Sequence, residues 1–173
     1  MSQTNPPHIL GHIAATWGIA GFVALLLFAL YRLVPISLDA FELNWQWYHW
    51  LVFAANTAFM AYSEGYRGFQ KGYAPRLVAR AEGLRQSATV LTTLLAPAYC
   101  MNYFQAEKRR MIVAWVATCL IVLAIIAFHY LPQPWRGILD AGVVVGLGWG
   151  LLATVYFALA DGTARRTSGP PIA

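Results

Sequence analysis

Long runs without a charged residue limit what this chain can fold into more than any other feature of its sequence. A helix needs about 20 mostly apolar residues to cross the hydrocarbon core of a bilayer. Five uncharged runs reach or approach that length, at residues 13–31, 43–63, 86–106, 111–135 and 141–160. Only 11% of the residues are charged, against about a quarter in a soluble domain. The sequence therefore predicts an all-α polytopic membrane protein, with a single membrane domain over residues 1–173.

The lysines and arginines indicate which runs cross, because basic residues accumulate on the cytoplasmic side of membrane helices. If all five runs crossed, the 12 basic residues would divide six and six between the two sides. If the run at 86–106 does not cross, ten lie on one side and only Arg32 and Arg136 on the other. We therefore expect four transmembrane helices, with both termini in the cytoplasm. The predicted spans are residues 13–33, 43–63, 111–131 and 138–160.

Two other counts stay open at this point. Five spans are the alternative, and three spans, with 43–63 lying flat, also satisfy the charge rule. Aromatic residues at the start of 43–63 favour a spanning helix, since such side chains collect at membrane interfaces. No Lys or Arg precedes the first run, so we expect it to stay as a membrane helix and not to be cleaved as a signal peptide.

The stretch 64–110 is expected to be a basic cytoplasmic or interfacial segment. Pro97 and several polar residues interrupt its uncharged part, which favours an interfacial or re-entrant helical segment over a regular span. The tail at 162–173 is polar and rich in proline, and we expect it to be flexible.

The last predicted span carries a helix-packing motif, in which Gly142, Gly146 and Gly150 recur every four residues. This spacing puts them on one helix face and lets another backbone approach closely. We expect the glycines to pack within the chain or, alternatively, to form a contact with another copy or another protein. Asn56 lies deep in the second predicted span, where an interhelical hydrogen bond is the usual role of a polar side chain.

The stretch SEGYRGFQKGYAPR, residues 63–76, alternates glycines with aromatic and basic residues. A flexible glycine loop exposes backbone N–H groups, and arginine and lysine pair with phosphate. The pattern predicts either a site for a lipid or polyprenyl-phosphate headgroup or an ordinary basic interfacial loop. The candidate side chains for a headgroup site are Glu64, Arg67, Lys71, Arg76, Lys108, Arg109 and Arg110.

Glu64 is the acid that adjoins the membrane end of this stretch. An ionisable group near the bilayer suggests a function. An ion pair with Arg67, three residues further along a continued helix, is the simpler interpretation. Pro97 and Asn102 are candidates to line a shallow site beside Glu64.

The histidines suggest one cofactor hypothesis. His49 and His129 would lie at similar depth in two predicted spans, as two axial haem ligands must. Histidines beside interfacial aromatic residues are more often without a cofactor, so haem is only a minor alternative. His8 and His12 are four residues apart but have no third metal ligand nearby. The two cysteines show no metal-binding spacing, and we expect buried free thiols and no cofactor.

No set of residues for catalysis stands out, since the chain has no Ser–His–acid arrangement and no HExxH. The net charge of +5 fits loops that face an anionic leaflet, so we expect anionic lipids and not nucleic acid as partners. We interpret the chain as a small integral protein of a bacterial inner membrane. Its composition and motifs favour a non-catalytic accessory, assembly or scaffold subunit of a membrane complex.

Overall fold

Helices account for every regular element of the computed structural model, which describes residues 9–167 and, as far as residue 163, their side chains. In chain order they are α1 (Ile9–Phe41), α2 (Trp47–Met60), a π-helix (Ala61–Tyr73), α3 (Ala74–Ser87), α4 (Val90–Leu94), α5 (Ala96–Cys100), α6 (Lys108–His129) and α7 (Trp135–Thr167). Ala61 and Ala74, at the two junctions of the π-helix, keep right-handed helical backbone. α2, the π-helix and α3 therefore form one continuous rod, residues 47–87.

Three helices of the described chain are long and apolar enough to cross a membrane: Ile9–Phe41, Lys108–His129 and Trp135–Thr163. The predicted class, an all-helical membrane protein, is confirmed. The predicted count of four spans is not confirmed. The span expected at 43–63 is divided between α2, which has 14 residues, and the start of the more polar π-helix.

α1 runs antiparallel to the rod. Phe22 packs on Tyr73 with ring centroids 5.2 Å apart, and Phe41 packs on Phe53 at 5.4 Å. The two helices thus remain in contact from the middle of α1 to its end.

α7 runs parallel to the rod. The ring of Trp135 lies 5.0 Å from that of His49 near the start of both helices, and Gly150 lies against Phe69 further along. α1 and α7 are therefore antiparallel to each other. The start of α1 and the end of α7 lie at the same end of the bundle.

The rod covers the three glycines that were expected to pack, Gly142, Gly146 and Gly150. A Cβ atom at Gly142 would lie 2.2 Å from Nδ2 of Asn56, and one at Gly150 would lie 2.6 Å from the Phe69 ring. Asn56 uses this space to donate from Nδ2 to the Ile138 carbonyl at 2.9 Å, which is the interhelical bond expected of it. The glycine face is thus occupied within the chain, and a contact with another protein through it stays a prediction.

The segment between α3 and α6 folds back against the first half of α1. Its two helices, α4 and α5, have five residues each, which is too short to cross a bilayer. The alternative of a fifth span at 86–106 is therefore wrong. Pro97 lies in the first turn of α5, where proline fits because its missing N–H would have no helical partner. Gly18 of α1 allows the close approach, since a Cβ there would lie 2.6 Å from Cys100 Sγ.

A buried apolar cluster lies where α3 and α5 meet the first half of α1. Ala14, Leu77, Leu84, Ala96 and Cys100 are each at most 1% exposed there. Burial of these apolar side chains stabilises the contact between α1, which can cross the membrane, and the segment that contains α4 and α5, which are too short to cross it.

α6 is the exception to this packing. None of its 22 residues is buried. The chain touches its first half through Tyr103, whose ring packs on Trp115 at 5.1 Å and whose hydroxyl bonds to Thr118. α6 therefore stands beside the bundle and contributes little to its core.

The end of the chain differs in part from the expectation of a flexible tail at 162–173. α7 continues as a regular helix through Thr167. Residues 168–173 lie outside the described part of the chain.

Candidate functional site

The stretch predicted as a glycine loop, residues 63–76, is helical. Most of it belongs to the π-helix, where each N–H bonds to the carbonyl five residues earlier. The N–H of Ala74 donates to the Phe69 carbonyl in this way. The expected loop with exposed N–H groups is therefore wrong, and a ligand here would have to be bound by side chains.

The length of the π-helix is unusual. Such helices occur mostly as single turns inside α-helices, frequently at functional sites, whereas this one has 13 residues. Its side chains follow steps of four and five residues. The inner row, which continues from Met60 at the end of α2 and faces α7 and α1, consists of Glu64, Phe69 and Tyr73. The outer row consists of Tyr62, Tyr66 and Lys71.

The outer row has a defined geometry. The rings of Tyr62 and Tyr66 stack with centroids 6.1 Å apart. Lys71 Nζ lies 4.6 Å from the centroid of the Tyr66 ring, within the range of a cation–π interaction. A hydrogen bond with Tyr66 raises the pKa of Lys71 above its ordinary value, although the nearby charge of Arg67 acts in the opposite direction. The ammonium group is thus held over an aromatic ring and stays charged.

The ion pair expected between Glu64 and Arg67 is wrong. The ion pairs found among the described side chains do not include Glu64. Its carboxylate lies towards α7, where a Cβ at Gly146 would be 3.1 Å from Oε2. In a π-helix the next residue on the same face is four or five positions away, so residue 67 is not stacked over residue 64 as it would be in an α-helix.

The structure does not gather the residues of the predicted shallow site. Pro97 lies against α1, where a Cβ at Gly21 would meet its Cγ at 2.4 Å. Asn102 follows α5 with φ 66° and has a buried Oδ1 without a hydrogen-bond partner. Both belong to the segment packed on α1, whereas Glu64 faces α7.

Arg80 was not among the residues predicted from the sequence. Its Nε donates to the Tyr99 carbonyl at 2.9 Å, and its Nη2 lies 3.2 Å from the Phe104 carbonyl and 3.3 Å from the Gln105 carbonyl. The guanidinium also lies 4.1 Å from the Tyr99 ring centroid. Arg80 thereby fastens the connection between α5 and α6 to α3. It also brings the start of α6 to the end of the bundle where the other basic residues lie.

The other basic candidates are partly engaged. Arg76 donates from Nε to the backbone of its own preceding turn. Arg110 pairs with Glu107 at 3.4 Å, in an exposed position. Lys108 and Arg109, at the start of α6, are exposed. These side chains form a basic surface but not one enclosed pocket.

The histidines occupy different environments. His49 is buried at the start of α2, where its Nδ1 accepts the N–H of Gln46 at 3.1 Å and its ring packs edge-on to Trp135. His129 is exposed at the end of α6, next to Tyr130. Within residues 9–163 no ring contact joins the two histidines. Haem binding through them stays a prediction.

No group of three or more His, Cys, Asp or Glu residues that could hold a metal is found among the described residues. His8 lies outside them, and His12 is bonded to Arg85 at 2.7 Å. Cys100 is buried as expected, and burial raises the pKa of its thiol to about 11. The expectation of a buried thiol is wrong for Cys119, which is exposed on the surface of α6.

An apolar groove of about 180 Å³ opens between α1, α2 and α7, towards the end of α1. Val34, Phe41, Phe53 and Val144 are among its lining residues. Ser37 also lines it, but its hydroxyl donates to the backbone of α1. The groove is therefore suited to hydrocarbon and not to a polar substrate.

Comparison with protein-family models, with curated proteins and with solved structures finds no match to this chain. The interpretation of the candidate site therefore rests on its residues and their geometry.

Proposed function

We propose that this chain is a non-catalytic subunit of a membrane complex, and that α6 is the helix through which it contacts its partner. The observation that carries the proposal is the surface of α6, which is apolar over residues 111–128 and has no residue buried within the chain. α1, the rod and α7 pack on one another, whereas α6 leaves almost all of its surface to its surroundings. Helices associate in bilayers mainly through van der Waals packing, and α6 offers that surface to the helix of another protein.

The polar groups of the bundle support a structural role. Asn56 and Arg80 bond to backbone carbonyls and hold elements together. Cys100 is a buried thiol with a raised pKa, and a protonated thiol is a poor nucleophile. These groups stabilise contacts and are not arranged as a nucleophile with a neighbouring base.

The proposal includes four membrane spans. α2 and the π-helix as far as Phe69 lie beside α7 from Trp135 to Gly150, which supports their sharing the membrane depth of a helix that can cross. α1, the rod, α6 and α7 would then alternate in direction. With ten of the 12 basic residues on one side, the charge rule favours cytoplasmic termini. A helical bundle of this kind fits a bacterial inner membrane, because outer-membrane spans are β-barrels.

Photo-cross-linking in native membranes tests the proposed contact. A photoreactive leucine analogue in place of Leu120, which is 60% exposed on α6, should form an adduct with another membrane protein. The same analogue in place of Leu152, which is 72% exposed on α7, is the matched control and should react mainly with lipid. Mass spectrometry identifies the adducts. Adducts at Leu120 with lipid alone, or with a second copy of this chain alone, would contradict the proposal.

A further inference from the structure

Phe69 of the π-helix contacts the middle of both neighbouring spans. Its ring lies 6.4 Å from the ring of Phe22, the central residue of the uncharged run 13–31 in α1. It also lies against Gly150, at the centre of the uncharged run 141–160 in α7, where a Cβ atom would be 2.6 Å away. Such runs match the hydrocarbon core in length, so their centres lie near the middle of the bilayer. The part of the π-helix around Phe69 therefore lies at the same depth.

Two basic residues, Arg67 and Lys71, lie two positions before and after Phe69. Two residues advance a helix by about 3 Å, whereas the hydrocarbon core extends about 15 Å to each side of its centre. The backbone of both residues is therefore deep within the core. A lysine near the end of a span can extend to the membrane surface. Lys71 does not do so, because its Nζ lies 4.6 Å from the ring centroid of Tyr66, on the preceding turn.

The described part of the chain gives these two cations no carboxylate. Arg67 and Lys71 are exposed, and the ion pairs found within residues 9–163 involve other side chains. Glu64 belongs to the inner row and lies towards α7. Hydrocarbon cannot solvate a charge, so charged groups within membranes almost always pair with one another or face water or a protein interior. The outer row and Arg67 are therefore unsuited to contact with lipid.

The aromatic part of the outer row favours a protein as its cover. Tyr62 stacks on Tyr66 with ring centroids 6.1 Å apart and is itself 58% exposed. Tyrosine and arginine are enriched at the centres of protein interfaces, where large rings pack and polar groups find partners. A second copy of this chain would bring the same two cations to the contact, and like charges repel. A helix with a carboxylate would instead neutralise them.

We propose that the outer row of the π-helix, together with Arg67, binds a transmembrane helix of another protein that carries an aspartate or glutamate near the middle of its span. The carboxylate accepts hydrogen bonds from the ammonium and the guanidinium, and the tyrosine rings pack along the same helix. The inference rests on the proposed function in that this chain is a subunit of a membrane complex, but it does not require the contact through α6. Without Arg67 and Lys71, eight basic residues lie on the cytoplasmic side and two on the other, so the charge rule favours the same topology.

Photo-cross-linking from Tyr62 in native membranes tests this contact. A benzophenone analogue of phenylalanine in place of Tyr62 should form an adduct with another membrane protein, and mass spectrometry should locate the adduct on a span that contains Asp or Glu. The same analogue in place of Tyr156, which is 66% exposed on α7, is the matched control and should react mainly with lipid. Adducts at Tyr62 with lipid alone, with a second copy alone or with a span free of acidic residues would each overturn the proposal, as would the absence of any adduct.

Removal of the two charges tests whether they hold the partner. Arg67→Gln/Lys71→Gln should lower the yield of the Tyr62 adduct at least about tenfold, because one hydrogen bond from a charged group contributes about that factor to association. Lys108→Gln/Arg109→Gln removes the same charge from exposed positions at the start of α6 and should change the yield less than about twofold. Equal losses in the two double variants, or no loss in Arg67→Gln/Lys71→Gln, would overturn the proposal.

A measurement on the unaltered chain decides the matter if the double variant fails to fold. The purified protein is placed in phosphatidylcholine vesicles with a leucine-rich transmembrane peptide whose central residue is either Glu or Gln. Energy transfer between fluorophores on the protein and on the peptide measures their association. The peptide with Glu should bind at least about tenfold more tightly than the peptide with Gln, and equal binding would contradict the proposal.

The two proposed contacts can fail separately. In the same membranes, an adduct at Leu120 with no protein adduct at Tyr62 would overturn only the contact at the π-helix. An adduct at Tyr62 on an acidic span, with lipid alone at Leu120, would overturn only the contact through α6. Lipid alone at both positions would overturn both contacts.

Discussion

Asn56 donates a hydrogen bond from Nδ2 to the carbonyl oxygen of Ile138 at 2.9 Å, across the contact between α2 and α7. Gly142 provides the room for this amide, since a Cβ atom there would lie 2.2 Å from Nδ2. The glycine and the amide thus form one contact, in which a missing side chain lets a polar group reach the backbone of the facing helix. Small residues and polar side chains stabilise helix pairs in bilayers in this manner.

Gly142→Ala should lower the free energy of unfolding by about 1–3 kcal/mol, the usual cost of overpacking a filled contact. The added methyl group would push Asn56 away from the Ile138 carbonyl. Unfolding in mixed micelles, followed by circular dichroism, measures the change. Gly148→Ala is the control on the same helix, because a Cβ atom added there would have no neighbour within 4 Å among the described residues. Alanine has a higher helix propensity than glycine, so Gly148→Ala should be neutral or raise the free energy of unfolding by up to about 1 kcal/mol. Equal losses of stability in both variants would show that the contact between Gly142 and Asn56 is not the cause.

Arg80→Lys should loosen the connection between α5 and α6. A lysine ammonium is a compact charge and does not reproduce the fork with which Arg80 reaches the carbonyls of Tyr99 and Phe104. A hydrogen bond from a charged group contributes about 1.5–3 kcal/mol, so hydrogen exchange at residues 101–107 should become at least about tenfold faster. Arg67→Lys, at an exposed position, should leave this exchange unchanged. Unchanged exchange in Arg80→Lys would show that the segment is held by apolar packing alone.

Cys100 should resist alkylation in the folded protein. Its pKa of about 11 lies above the ordinary value of about 8.5 for a thiol, so the folded state favours the protonated form. The associated stability is fully present below about pH 8.5 and is lost as the pH rises towards 11. In a Cys119→Ser background, N-ethylmaleimide at pH 8 should react at least about a hundredfold more slowly with folded than with SDS-unfolded protein. Equal rates would contradict the burial of Cys100.

The sequence predicts well those features that depend only on residues close together in the chain. Local features argue against a regular span at 86–106. Pro97 and several polar residues interrupt this uncharged run, and the basic residues that flank it fall on one side of the membrane only if the run does not cross. The glycines at 142, 146 and 150 similarly indicate a helix face through their spacing alone. Their partner cannot be identified in this way, since it depends on which helix packs opposite.

The π-helix and Arg80 are harder to predict, for different reasons. Residues 61–73 contain three glycines, and glycine is more typical of a loop than of a regular helix. The spacing of Tyr62, Tyr66 and Lys71, by four and five residues, is the available signal for a wider helix. Arg80 bonds to carbonyls between 19 and 25 residues away. No local pattern indicates such a contact, because it forms only when the connection folds back onto α3.

Labelling of introduced cysteines from one side of the membrane should distinguish four spans from three. With four spans, Asn44, exposed between α1 and α2, lies outside the cytoplasm, while Lys108, at the start of α6, lies inside it. With three spans and a flat second stretch, both positions would face the cytoplasm. In a background with Cys100→Ala and Cys119→Ser, an impermeant maleimide added to spheroplasts should label Asn44→Cys but should label Lys108→Cys only after permeabilisation. If neither position were labelled in intact spheroplasts, the four-span topology would be wrong. The rod would then lie outside the membrane, although α2 packs beside α7 along its length.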